Sequence, residues 1–402
     1  MHLLRTTRWF ILLLVGLNLT NCKQSDPVIN GVPAPTPLVN STPLGSYTKA
    51  QLLQKVIASG IVNAQTSQLL TLLLQRDVNA YRITYTTKNT DGTLITASGA
   101  LLVPVAIGTE SFPLISQQHG TITSETQAPS NFTDASEAAS IGLLFASNGY
   151  IIACPDYIGY GESKNVPHPY LHRQTEASAS LDMLRASKAF LAKNSVKWDN
   201  RVFLTGYSQG GHATMSLLKM MEEQFPSEFT ITATTCGAGP YNAEGFMNDL
   251  ITKETHGIPS YNNLYIRVLQ TYNRVYGLNR PMSYYFLEPY ATQINNSQPN
   301  IDISINRAFT AGFKTGVTGG TDAEFLKAVR DNNVYDWTPK SPLQLYHGTA
   351  DNQVFFRNST DAQTAMKARG ITVDLIPIKD KDHGPAIEDY LQGTFTYFSG
   401  KK

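Results

Sequence analysis

The segment Thr205-Gly206-Tyr207-Ser208-Gln209-Gly210-Gly211 lies between a short apolar run, Val202-Phe203-Leu204, and a helix-periodic segment from His212 to Met221. Between a strand and a helix, Gly-x-Ser-x-Gly can hold a serine at the apex of a sharp turn, its hydroxyl clear of the sheet at the positive end of the helix. Gly206 and Gly210 would let the strand and helix pass without a Cβ collision. A five-residue pattern of common residues also arises by chance, as a Gly-rich loop, so it gains meaning only from partners.

A serine hydroxyl is a poor nucleophile unless an imidazole takes its proton, and that imidazole needs a carboxylate to fix its tautomer. In the order serine, acid, histidine, three histidines follow Ser208: His256, His347 and His383. His256 falls in a long insertion and His347 at a strand end. His383, in Asp382-His383-Gly384 just past the last expected strand, can swing over the sheet to the serine. The expected acid is Asp351, in the loop leaving the penultimate strand. Asp374 would be buried in the last strand, Asp380 and Asp382 stand too close to His383 in sequence, and Asp382 reads as a solvated loop carboxylate.

The developing oxyanion needs backbone N–H donors. One is expected from Gln209, and a second from His119-Gly120-Thr121, where Thr121 and Gly120 remain alternatives. His119 is expected mainly to bond its own loop. With Tyr207 and Tyr157 it is a candidate for substrate contact, although Tyr157, beside Asp156, reads equally as a turn residue. His168 and His172 are spaced i, i+4, but no carboxylate or Cys completes a ligand set, so neither metal nor cofactor is expected.

These residues need a scaffold. Short apolar runs at 112–115, 150–153, 202–204, 229–231, 343–346 and 373–378 alternate with helical stretches at 135–146, 176–192, 212–224, 360–368 and 387–398. That alternation implies a parallel doubly wound sheet, whose working residues cluster at the C-terminal strand ends. A hairpin around Asp91-Gly92 precedes it and suggests an antiparallel edge. Residues 48–78 carry two helical patterns. Residues 22–47, with five prolines after Lys23, read as an extended tether.

The first 21 residues read as a lipoprotein signal peptide. Arg5 and Arg8 precede an apolar run from Trp9 to Leu19 that is too short to span a bilayer, and Leu19-Thr20-Asn21-Cys22 follows. Acylated Cys22 would anchor the mature protein to a bacterial membrane outside the cytoplasm, with plain secretion as the alternative. The formal net charge of +1 carries no footprint for nucleic acid. Cys154 and Cys236 are expected on strands three positions apart, roughly 14 Å, beyond disulfide reach.

Taken together, Ala97-Ser98-Gly99-Ala100-Leu101-Leu102-Val103-Pro104, His119-Gly120, Pro155-Asp156-Tyr157-Ile158-Gly159-Tyr160-Gly161, Gly206-Tyr207-Ser208-Gln209-Gly210-Gly211, His347-Gly348-x-x-Asp351 and Asp382-His383-Gly384 resemble the α/β-hydrolase superfamily, and within it the secretory-lipase-like esterases. The resemblance spans roughly residues 80–240 and 340–400. It implies an α/β fold with an eight-stranded, mostly parallel sheet in the order 1-2-4-3-5-6-7-8, flanking helices, and ester hydrolysis without a cofactor.

Residues 240–338 then form a helical cap insertion in the 48–402 domain. Within it Tyr261, Leu264, Tyr265, Val268, Tyr272, Val275 and Tyr276 repeat at helical spacing. That stripe either packs the cap on the body or faces an acyl chain or aromatic ester. The sequence therefore points to a serine hydrolase acting on a small-molecule or lipid ester. A serine peptidase and a non-catalytic surface-binding lipoprotein are the rival readings, and the oligomeric state is unreadable.

Overall fold

The computed structural model describes residues 37–58 and 74–402. The signal segment, Cys22 and the apolar run 69–73 lie outside the described residues. Nine strands form one sheet: β1 (Leu38–Tyr47), β2 (Val78–Lys88), β3 (Leu94–Pro104), β4 (Phe112–Gln118), β5 (Ile151–Pro155), β6 (Trp198–Tyr207), β7 (Thr230–Gly237), β8 (Leu343–Gly348) and β9 (Asp374–Ile378). Their order is β1-β2-β3-β5-β4-β6-β7-β8-β9. From β2 onward this is the expected α/β-hydrolase order; β1 is an extra strand.

That extra strand corrects the tether reading, because from Leu38 the chain pairs antiparallel with β2. The segment has little apolar content because it is a sheet edge, tied by backbone hydrogen bonds more than by burial. Pro43 is tolerated there, next to a register shift between Pro43 and Gly45, since an edge strand can do without one N–H. The β2–β3 hairpin forms as expected, and strands β5, β4, β6, β7, β8 and β9 run parallel. Cys154 and Cys236, on β5 and β7, are free thiols.

Both sheet faces are covered. Helices Arg173–Lys193 and Gln209–Gln224 bury Leu184 and Met215 against Leu204 on one face. Helices Ile141–Ser147 and Ile387–Ser399 bury Phe145 and Phe398 against Phe203 on the other. The expected helix from residue 135 begins only at Ile141, because three short 3-10 turns between Glu125 and Ala139 come first.

Residues after β7 form the insertion. Its helices include Ala243–Thr252, Pro259–Val275, Ala311–Thr318 and Ala323–Asp331. It has its own apolar cluster, in which Leu269, Tyr285, Phe313 and Phe325 are fully buried. The aromatic stripe divides: Tyr265 and Tyr272 are buried in that cluster, while Tyr261 and Tyr276 pack partly buried at its margin.

Candidate active site

The turn after β6 has the strain its sequence implied. Ser208 has φ 59° and ψ −120°, caps helix Gln209–Gln224, and its N–H donates to the Gly237 carbonyl at 2.9 Å. A Cβ on Gly206 would run into the Gly210 carbonyl, and one on Gly210 into the carbonyls of Gln118 and His119. Only glycine permits these approaches, and the second sets the His119-Gly120-Thr121 loop directly on the first turn of the serine's helix.

Three strand ends then converge. His383 Nε2 lies 2.9 Å from Ser208 Oγ, and His383 Nδ1 lies 2.6 Å from Asp351 Oδ2. The other carboxylate oxygen of Asp351 accepts from the amides of Gln353 and Val354, at 2.9 and 2.8 Å. Burial raises the pKa of Asp351, but bonds from His347 and His383 outweigh it and hold the carboxyl at about 2.

The neighbouring groups are positioning residues that the sequence reading left out or assigned elsewhere. His347, set aside as the base, faces the acid: its Nε2 is 3.2 Å from Asp351 Oδ2 and 2.7 Å from the Val354 carbonyl, and its Nδ1 reaches Ser359 Oγ at 2.7 Å. Asp382 is half-buried rather than freely solvated. Its Oδ1 accepts from the amides of Asn352 and His383, at 2.8 and 2.7 Å, joining the acid's loop to the histidine's. The His347-Gly348-x-x-Asp351 spacing was the available signal for the first; nothing local signals the second.

The His119-Gly120-Thr121 loop is pinned on most of its polar atoms. Tyr157, buried, donates its hydroxyl to the His119 carbonyl at 3.1 Å, and its ring packs on the His119 imidazole. His119 Nδ1 and Nε2 face the carbonyls of Gly120 and Asp156, at 2.6 and 3.2 Å. The Gly120 N–H donates to Glu137 Oε1 at 3.0 Å. Thr121 Oγ1 pairs with the Tyr170 hydroxyl at 2.8 Å, while the Thr121 N–H has no partner among the described residues. His119 and Tyr157 are both buried, and both hold the loop. Tyr207 packs tilted against the His383 ring and donates to the His383 carbonyl at 2.8 Å, and it also lines the space beside the serine.

Beneath the serine, Gln209 Nε2 donates to Glu176 Oε1 at 2.9 Å and meets His168 Nε2 at 2.9 Å. His168 Nδ1 faces the Ile158 carbonyl at 2.6 Å, and burial lowers its pKa to about 3, which leaves a neutral ring. Glu176 also pairs with His212, whose other nitrogen faces the Asn332 carbonyl at 3.1 Å. Asn332 follows the last helix of the insertion, so this buried network ties that insertion to the serine's helix.

Ser208 opens onto two kinds of space. A cavity of about 230 Å³ runs between helices Ile141–Ser147 and Ile387–Ser399; Thr121, Glu137, Tyr207 and His383 are among its walls. On the other side, two apolar crevices of about 20 Å³ each lie under the insertion, lined by Phe246, Tyr265 and Val268.

Residues 126–386 match the family model described as secretory lipase. No curated protein matches the sequence. Among solved structures, the ligand-bound rice cell wall degrading esterase LipA from Xanthomonas oryzae is 25% identical, with TM-score 0.75 over 92% of this chain and 100% of that one. A Legionella pneumophila protein superposes with TM-score 0.78 at 24% identity, covering 90% of this chain and 97% of that one. Candida antarctica lipase A shares the fold at 15% identity and TM-score 0.58, over 90% of this chain and 83% of that one. The family match includes the serine turn, the acid loop and His383, and the chain belongs to the secretory lipase family, as a carboxylic ester hydrolase of α/β-hydrolase fold.

Proposed function

We propose that this protein cleaves esters through an acyl-enzyme formed on Ser208, with His383 as general base and Asp351 as the carboxylate that orients it. The observation that carries this reading is His383 bridging Ser208 Oγ and Asp351 Oδ2 at 2.9 and 2.6 Å. Ser208 Oγ attacks the ester carbonyl while its proton passes to His383 Nε2. Asp351, ionised above about pH 2, fixes Nδ1–H and stabilises the imidazolium. His383 then protonates the departing alcohol. A water deprotonated by the same nitrogen releases the acid and restores the serine.

The tetrahedral oxyanion is held by the amides of Gln209 and Thr121. Gly120, the alternative donor, spends its N–H on Glu137, while the adjacent Thr121 N–H has no partner among the described residues. Aiming fixed donors at the developing charge is typically worth about 3 kcal/mol per donor. Phe246, Tyr265 and Val268, beside Ser208 under the insertion, offer an apolar surface on the acyl side.

The mature protein is exported and held at a bacterial membrane through acylated Cys22, so its substrates are extracytoplasmic esters. Among the described residues no helix is long and apolar enough to cross a membrane. The test is turnover of a short-chain p-nitrophenyl ester by Ser208→Ala in a well-folded preparation: a fall of at least about 10⁴-fold is expected, and undiminished turnover would refute the reading.

A further inference from the structure

The cavity of about 230 Å³ beside Ser208 has no role in the chemistry above, yet its walls distinguish the two sides of the scissile bond. His383 must hand its proton to the leaving alcohol oxygen, so the alcohol has to sit on the side His383 faces. His383 lines this cavity and does not line the crevices beneath the insertion. The crevices are apolar, whereas the cavity combines Ile141, Phe145 and Leu391 with a carboxyl group. A cavity of about 150 Å³ accommodates benzene, so this one has room for a compact polyol.

Glu137 supplies that carboxyl. Protein encloses it, which raises its pKa against the lowering effects of His119, the Gly120 amide and the Gln117 side chain. It nevertheless keeps accessible surface, and it lines the cavity. A carboxylate offers about four acceptor sites. The Gly120 N–H, at 3.0 Å, and the Gln117 amide occupy two, leaving acceptor capacity directed into the cavity beside the reacting serine. The hydroxyls of Tyr207 and Tyr390, also in the walls, are already committed, to the His383 carbonyl and to Thr205. Glu137 is thus an acceptor with unused capacity in these walls, and a bound group that donates hydrogen bonds would complete it.

We propose that this cavity is the leaving-group subsite, that it takes an alcohol carrying free hydroxyls beyond the esterified one, and that Glu137 is the residue that selects it. The proposal rests on the acyl-enzyme reading of Ser208.

The test compares methyl, propyl and 2,3-dihydroxypropyl butyrate, which share one acid and differ only in the alcohol. The readout is kcat/KM, which reports acylation, taken as a ratio within each variant. The wild type should favour the dihydroxypropyl over the propyl ester by about tenfold, the worth of one hydrogen bond to a charged group. In Glu137→Met that ratio falls to about one, while all three rates drop because the Gly120 amide loses its acceptor. Glu137→Gln, which keeps an oxygen for Gly120, recovers the rates with a ratio near threefold. Ile141→Phe, which narrows the cavity, penalises the propyl and dihydroxypropyl esters against the methyl ester by about tenfold.

A wild type that turns over the propyl ester as well as the dihydroxypropyl ester overturns the proposal. So does a Glu137→Met variant that slows all three equally, since Glu137 would then only brace the loop, or an Ile141→Phe variant that changes acid-chain preference among methyl esters instead. Methyl ester turnover that survives Ser208→Ala refutes the serine reading itself, which is a separate result.

Discussion

Around Ser208 almost every polar group of the sheet body is bonded to backbone or to a buried partner, whereas the insertion above it is built around a core of apolar side chains, many of them rings. Asp351 takes two amides and faces two imidazoles, and Asp382 takes two amides from two different loops. In the insertion, Tyr285, Phe313 and Phe325 meet one another with ring centroids 5.1–6.0 Å apart. Bonds join the two regions at many points; among them are Tyr265 hydroxyl to Gln353 carbonyl at 2.8 Å, Arg267 to the Tyr160 hydroxyl at 3.1 Å and Tyr272 hydroxyl to the Leu171 carbonyl at 3.3 Å. Directional bonds fix where reacting atoms sit, and non-directional packing fills volume. The body should therefore lose chemistry when one group changes, and the insertion should lose stability.

The largest effect that separates the regions is Asp351→Asn, which preserves shape but removes the charge and the tautomer lock. It should lower kcat by about three to four orders of magnitude, as read from ester turnover, with little change in KM. In the insertion, Leu269→Ala empties a fully buried site and should cost about 2–5 kcal/mol in denaturant unfolding. The same variant should retain most turnover of a short soluble ester under native conditions. A thousandfold loss of turnover there, with the fold intact, would erase the distinction.

A smaller effect tests the electrostatics of the acid. Asp351 is depressed from 3.8 to about 2, so its contribution is complete above about pH 4 and disappears as pH falls through 2. It amounts to about 2 kcal/mol. Asp351→Asn should then be less stable than the wild type at pH 7, by a margin that shrinks between pH 4 and 2; a margin independent of pH would mean that Asp351 is not depressed. The smallest effect is Tyr265→Phe, which removes one bond between the regions and should cost about 1 kcal/mol and less than threefold in kcat/KM.

The same contrast explains what the sequence made legible. The parallel strands were readable because buried strands are continuous apolar runs, and Ser208, Asp351 and His383 because they flank such runs. Strand β1 was not, since a Pro-containing polar edge held by backbone pairing looks like a tether. Asp382, Glu137 and the Glu176–His212 pair were also invisible. Each acts through a contact made only after folding, such as His212 with a carbonyl 120 residues away. The Gly120 amide shows this most simply, because a glutamate 17 positions downstream claims it.

The central claim is that Ser208 is the atom source of the acyl-enzyme and that His383 activates it. A fluorophosphonate probe followed by peptide mass mapping tests this most directly. One label per chain is expected, on the peptide containing Ser208, with ester turnover lost in proportion to labelling and labelling at least about a hundredfold slower in His383→Ala. Full turnover after exhaustive labelling, or a label on any other residue, would contradict it.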